Sequence, residues 1–332
     1  MLMGEVIEVS DQLKHGYDAV VVGGGAAGLN GALMLARSRR SVVVIDAGAP
    51  RNAPAAGVHG LLASEGMPPA ELLERGRAEV RGYGGHVVTG EVSTATRDDD
   101  GFEVALADGR SVRARRLLVA TGLTDQLPDI PGLRDRWGRD ALHCPYCHGW
   151  EVRDRAIGVL ATGPLSMHQA LLFRQLSDAV TFFSNNRPLA GEDAEQLAAR
   201  GISVVDGPVA SVEVAGDRIV GVRMSNGALV AREVLAVSPR MAARAGFLAG
   251  LELKPAEHPG GIGECIPADP TGRTDVPGVW VAGNVTDLTA HVGRAAAAGA
   301  LAAAQINADL VSEETTRAVS AYRAARGVTR PV

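Results

Sequence analysis

The sequence predicts an α/β protein made of two parallel sheets wound with helices, the second unit set inside the first. Three observations predict it. Residues 17–22 are an apolar run, interrupted only by Asp18, that ends in a glycine-rich turn and a helix. Residues 156–160 repeat that opening, again run, turn and helix, midway along the chain. Residues 279–284 are one more apolar run ending in a glycine turn. Unbroken apolar runs mark strands covered on both faces, as parallel sheets require. A chain that starts one such unit, builds a second and then closes with a strand of the first kind has a discontinuous outer domain. The expected division is 1–123 with 248–332, enclosing 124–247.

The bulk properties are consistent with this and narrow the function. A chain of 332 residues, 46% apolar but only 4% aromatic, builds its cores from alanine, valine and leucine. A net charge of −5 offers no basic surface for nucleic acid. Residues 1–16 are acidic and mixed, unlike an export signal. The longest apolar stretch, 295–304, is alanine and glycine apart from Leu301, too short and too weakly apolar to cross a bilayer. The expectation is a cytoplasmic protein with neither a nucleic-acid nor a membrane partner.

In the first unit, Gly23, Gly25 and Gly28 form G-x-G-x-x-G directly after the strand. Gly23 permits the tight turn, Gly25 lets the backbone approach a pyrophosphate, and Gly28 lets helix and strand pack closely. Ala26 and Ala27 open the helix (read as 29–38), whose N–H groups would face the phosphates. The second strand, 41–45, ends at Asp46, placed to bind ribose hydroxyls. This is the pattern of a Rossmann-like dinucleotide-binding domain. Arg51 and Asn52 lie just beyond; they either reach the same cofactor or form an ordinary surface loop. A helix over 69–83 and strands over 86–92, 102–106 and 111–120 follow, the last ending in Ala120-Thr121-Gly122.

The inserted unit opens on His143-Cys144-Pro145-Tyr146-Cys147-His148-Gly149, which holds two of the three cysteines. A C-x-x-C pair at a helix N-terminus ionises readily and can close and reopen as a disulfide. Other readings of the motif are haem c attachment, a zinc site, a static disulfide or two idle buried thiols. No export signal accompanies the first, and no second C-x-x-C completes the second, so no metal is expected. A static disulfide does not suit the expected compartment. His148, and after it His143, are candidate bases for the thiols; for each the plain alternative is packing or helix capping. Cys265 has no partner in sequence and reads as a small apolar residue.

A second Rossmann-like unit follows: strand 156–160, helix 166–176 and strand 180–183. Its turn reads Ala161-Thr162-Gly163-Pro164-Leu165-Ser166, lacking the first glycine and spending one position on proline, which has no N–H. No arginine pair for a 2′-phosphate follows the next strand. Residues 204–237 read as an antiparallel meander, and 293–310 as a long alanine-rich helix. The fold class is therefore α/β, two Rossmann-like dinucleotide-binding domains with the second inserted into the first.

These residues resemble the low-molecular-weight thioredoxin reductases over about 17–310. The resemblance rests on the glycine turn with Asp46, Ala120-Thr121-Gly122, the connector ending in Cys144-x-x-Cys147, and the closing Ala282-Gly283-Asn284 with its helix. It implies FAD as cofactor, held by the residues above together with Gly283, Asn284, Arg294 and Ala295. It also implies a homodimer, with Cys147 facing the flavin and Cys144 facing the substrate. The sequence departs from the reductases at His148, where they carry an acid, at the degenerate second turn, at Asn284 in place of aspartate, and at Gly293 in place of glutamine. The heptapeptide instead resembles the dithiol oxidases that make disulfide natural products such as holomycin, gliotoxin and romidepsin. That implies a small-molecule dithiol substrate, with electrons passing through Cys144/Cys147 and FAD to O2 to give H2O2. A reductase fed by ferredoxin or another donor, and a redox-sensing flavoprotein, remain the alternatives.

Overall fold

The computed structural model of the protein describes residues 13–98 and 100–326; most of the N-terminal segment read above, and the outermost ends of 1–123 and 248–332, lie outside them. The first unit comprises β1 (Gly16–Val22), α1 (Ala26–Arg37), β2 (Val42–Asp46), α2 (Pro69–Gly82), β3 (His86–Thr89), β4 (Val92–Asp98), β5 (Gly101–Leu106) and β6 (Ser111–Val119). The stretch read as one strand over 86–92 is in fact two. It breaks at Gly90, whose N–H bonds the Asp46 carbonyl and whose missing Cβ would press on Leu106. There the chain leaves the parallel sheet and enters the antiparallel hairpin of β4 and β5.

The chain crosses to the inserted unit along β7 (Leu123–Gln126). That unit contains β8 (Ala141–Leu142), α3 (Pro145–His148), β9 (Ile157–Leu160), α4 (Ser166–Phe173), β10 (Val180–Phe183), α5 (Gly191–Ala199) and β11 (Ser203–Val205). The meander β12 (Val209–Ala215), β13 (Arg218–Met224) and β14 (Leu229–Val230) precedes β15 (Val234–Val237). The meander is shorter than the expected 204–237. β11 and β15 join the parallel sheet β11-β10-β9-β15-β8, and every residue of β15 is buried, as a central strand demands. The helix expected over 166–176 ends at Phe173, where the Gln175 and Leu176 N–H groups turn to the carbonyls three residues back, of Leu172 and Phe173.

The chain returns along β16 (Arg240–Ala243), which lies antiparallel to β7, so entry and exit run side by side. After β17 (Ala256–Glu257) and β18 (Gly263–Cys265), β19 (Val279–Val281) rejoins the first sheet. It pairs with the last three residues of β6 on the edge that β5 occupies further back along that strand. The final helix, α6 (Val292–Ala325), packs across α1. The helices approach closely because glycines face each other: a Cβ on Gly299 would fall 1.9 Å from the Ala27 carbonyl oxygen, and one on Gly31 3.1 Å from that of Gly299. The helix runs beyond the expected 310. Arg40, Arg115 and Arg116 bind Asp309, Glu313 and Glu314, holding the polar continuation where no apolar stripe could.

Candidate active site

The dithiol sits at the sheet edge of the inserted unit. Buried β8 pairs with β15 and delivers His143 and Cys144 beyond the strand end. Cys144 is extended, and Pro145 with its fixed φ starts the one-turn helix α3. Gly149 follows because nothing larger fits: a Cβ there would stand 2.2 Å from the Pro145 oxygen and 2.3 Å from Leu176. Both cysteines are reduced and half-buried. The Cys144 thiol is lowered to about 7: the Cys147 thiol donates to it, and the N–H groups of Cys147 and Tyr146 and the Arg51 charge also favour its thiolate, against the opposing effect of burial. Cys147 is pushed up, by holding the shared proton against Cys144 and by burial. When the pair ionises, its negative charge is centred on Cys144.

The two histidines flank this charge. Burial lowers His143, whose Nδ1 lies 3.2 Å from the Val237 carbonyl and so carries the proton, leaving Nε2 as the basic nitrogen. Burial also lowers His148, with Glu151 pulling the other way and His59 adding to the depression. Its Nε2 is buried and has no hydrogen-bond partner among the described residues. Both rings are thus neutral, proton-accepting groups near pH 7.

The dinucleotide turn forms as the glycines require. Gly23 is left-handed (φ 107°), and a Cβ on it would strike the Ala120 carbonyl at 2.4 Å. A Cβ on Gly28 would overlap the Gly23 oxygen at 1.8 Å, whereas one on Gly25 would meet nothing within 4 Å. That open space lies at the uncapped start of α1, where Ala26 and Ala27 present unbonded N–H groups. α6 also starts without a side-chain cap, and Gly283 (φ 75°) brings the two helices together: its Cβ would lie 2.9 Å from that of Ala27 and 3.7 Å from that of Ala295. Gly122 is left-handed as well, and the Thr121 hydroxyl donates to the Arg244 carbonyl.

Several expected ligand residues already have partners. Asp46 ends β2 as read, but its carboxylate accepts the Gly48 N–H and pairs with Arg77 at 3.0 Å, so a ribose would share it. Asn284 donates its amide to the carbonyls of Asp287, Leu288 and Ala290, shaping the loop into α6 while leaving its own oxygen open. Arg294 is exposed and pairs with Asp287 at 2.5 Å. Asn52 is half-buried, and its carbonyl closes a turn on the Ala55 N–H. Arg51 is not a bystander. It grips Asp125 with both arms at 2.8 and 2.6 Å, and its charge acts on Cys144, Cys147 and His143.

Reading the sequence missed Asp125, Gly24, His59, Glu65, Glu151 and Ser166. Gly24 had a signal, three consecutive glycines; its Cβ would fall 2.4 Å from an Asp46 oxygen. The others have no motif and are defined only by contact. Ser166 is the most telling. Its buried hydroxyl accepts the N–H groups of Thr162 at 3.0 Å and Gly163 at 3.2 Å, while Pro164 has none to give. The turn where a second dinucleotide would set its phosphates has spent its donors on its own helix. Cys265 lies half-buried against an apolar cluster of Leu123, Met241, Ile262 and Leu288. Among the described residues no three His, Cys, Asp or Glu side chains gather as a metal site, and no helix is long and apolar enough to cross a membrane.

Comparison with known proteins agrees with this construction. The family model described as pyridine nucleotide-disulphide oxidoreductase matches residues 17–304. Thioredoxin reductase tcpT of Claviceps purpurea is 33% identical over 316 residues, 90% of this chain and 97% of that protein. Thioredoxin reductase sirT of Leptosphaeria maculans is 29% identical over 311 residues, covering 88% and 93% respectively. The crystal structure of HlmI superposes with a TM-score of 0.87 at 47% identity, covering 96% of this chain and 99% of that one. The chain belongs to the pyridine nucleotide-disulphide oxidoreductase family and within it is thioredoxin reductase-like.

Proposed function

We propose that the protein is an FAD-dependent oxidase of a small-molecule dithiol, closing it to an intramolecular disulfide. The observation that carries this reading is the inserted turn, whose donors are consumed by Ser166 and Pro164 beside an intact dithiol flanked by two neutral histidines. A site that does not seat nicotinamide nucleotide can take its electrons from the thiol side. The open cradle at Gly25, with the helix starts meeting at Gly283, fits the pyrophosphate of FAD. Bound FAD would take the electron pair from the Cys144/Cys147 dithiol and give it to oxygen, leaving H2O2.

The chain's own residues do the rest. With Cys144 and Cys147 joined as a disulfide, His148 takes the proton from one substrate thiol. The thiolate attacks Cys144 and forms a mixed disulfide, and Cys147 leaves as thiolate. The second substrate thiol, deprotonated in turn, attacks the first substrate sulfur; the product disulfide forms and Cys144 leaves. Two protons and two electrons leave the substrate, and O2 becomes H2O2. The exposed rings of Tyr146 and Trp150 give the dithiol an apolar surround on which a small molecule can dock.

The relatives' names, thioredoxin reductase, favour a second reading, reduction of a protein disulfide; the self-bonded second turn would leave it to a donor other than NADPH. Anaerobic mixing with a small dithiol, followed by admission of oxygen, separates the two. Dithiol oxidation is expected to bleach the flavin and then consume one O2 per disulfide formed. A flavin that no dithiol reduces, in an enzyme that reduces thioredoxin with reduced ferredoxin, would overturn the proposal.

A further inference from the structure

Dithiol oxidation removes two protons from each substrate, and His148 can hold only one at a time. Unless it is cleared, only His143 is left as a base for the second thiol. The ring's surroundings supply an exit. His59, in the loop between β2 and α2, sets Nδ1 2.6 Å from a Glu65 oxygen, and the other Glu65 oxygen accepts the Gly60 N–H at 2.9 Å. That carboxylate orients the ring with Nδ1 as donor and Nε2 free to accept. Nε2 faces Glu151, 3.6 Å away, on the one-turn helix that follows the dithiol. Exposure rises outward: His148 Nε2 is buried, the His59 side chain is 20% exposed, Glu151 42% and Glu65 66%. These four groups come from two units, and only the fold brings them together.

We propose that His59, held by Glu65 and facing Glu151, is the proton outlet of the dithiol site. The inference rests on the dithiol-oxidase reading. An N–H bond breaks at His148 and one forms at His59 Nε2 through a bridging water, since His148 Nε2 has no direct partner among the described residues. The resulting imidazolium has a carboxylate facing each nitrogen, Glu65 at 2.6 Å and Glu151 at 3.6 Å. His59 then gives the proton to solvent at its exposed edge while Glu65 holds the ring, and His148 is neutral for the second thiol. His59 acts through His148 and is a positioning and relay residue rather than a catalytic one.

The test is stopped-flow and steady-state oxidation of dithiothreitol by the FAD-loaded enzyme in dilute buffer at pH 7. His59→Gln keeps an amide to donate to Glu65 but cannot carry a proton. It is expected to lower turnover about tenfold, within the range of a single acid–base contribution, with FAD content unchanged. Added imidazole, a soluble proton carrier, is expected to restore most of the lost rate; a merely structural loss would not respond. Glu65→Gln should show the same rescue with a smaller loss. Wild-type turnover in His59→Gln, or a loss in both variants that imidazole leaves unchanged, overturns the outlet while the oxidase reading stands. A wild-type enzyme inert to dithiothreitol and to other small dithiols sinks both.

Discussion

At the scale of single residues the two cysteines are chemically unequal before any ligand arrives. Cys144 collects the backbone N–H groups and the neighbour's thiol proton, and Cys147 holds that proton. Cys144→Ser removes the largest cause of the raised Cys147 value, so Cys147 should ionise more easily. If it faces the flavin, it should then give a long-wavelength charge-transfer band in the FAD-loaded protein. Cys147→Ser should lack the band and accumulate substrate disulfide-linked to Cys144. Absorbance spectra and intact mass check both, and the reverse pattern would exchange the two roles. His148→Ala should slow flavin reduction by a dithiol by about two orders of magnitude at pH 7. An unassisted thiol has a pKa of about 8.5, so the deficit should shrink as pH rises through that value, where the substrate ionises without a base. An equal rate in wild type and variant at pH 7 would pass the role to His143 or to solvent.

At the scale of elements, similar strand–turn–helix units have opposite fates. In the first, the turn leaves its N–H groups open before an uncapped α1. In the second, Ser166 folds back onto Thr162 and Gly163 at the start of α4. NADPH and NADH should therefore be poor reductants of the flavin, which anaerobic titration reads directly; rapid stoichiometric bleaching would show that the turn can reopen. The α1–α6 crossing makes a different demand. Gly299→Val would force side-chain atoms into the Ala27 carbonyl and spread the two helix starts that meet at Gly283. The expected result is loss of FAD on purification, checked by the flavin-to-protein absorbance ratio, with Ala298→Val, half-buried beside it, as a milder control.

At the scale of the whole molecule, the inserted unit carries a buried ion pair that ties its connector to the meander. Arg136 and Asp140, 6% and 10% exposed, meet at 2.7 Å, and Asp140 also accepts the Ile219 N–H at 2.8 Å. Burial pushes the Asp140 carboxyl up, but Arg136 and the Ile219 N–H outweigh it and hold the value below the usual range. A lowered folded-state value means its stabilisation is complete above the unfolded value of about 3.9. It is lost as pH falls through the folded value. Asp140→Ala removes one of the two carboxylates on Arg136, Asp217 remaining at 2.7 Å, and should cost about 1–3 kcal/mol. Asp140→Asn should unfold more easily near pH 7 yet lose less of its remaining stability on acidification below pH of about 4. Urea melts across pH measure both.

The amino-acid sequence by itself determined the local events. Unbroken apolar runs at Ala19–Val22, 42–45 and 157–160 had to be covered on both faces, and glycines at 23 and 28 were needed where a Cβ would strike backbone. The C-x-x-C spacing and Pro145 set a dithiol at a helix start, and Pro164 signalled a turn short of donors. Tertiary structure decided everything that depends on meeting across distance. Arg51 could be read as a surface residue or a cofactor ligand until Asp125, brought in by the connector, placed its charge beside the cysteines. Asp46 and Asn284 read as free ligand groups until Arg77 and the loop carbonyls came within bonding range. The run at 234–237 looked like meander until the parallel sheet took it as a central strand. His59 and Glu65 carry no motif and lie more than 75 residues from His148 in the chain. The physical reason is the range of the forces: propensity and turn chemistry act over a few residues and are written locally. Hydrogen bonds and charge act through space, between partners that only packing can choose.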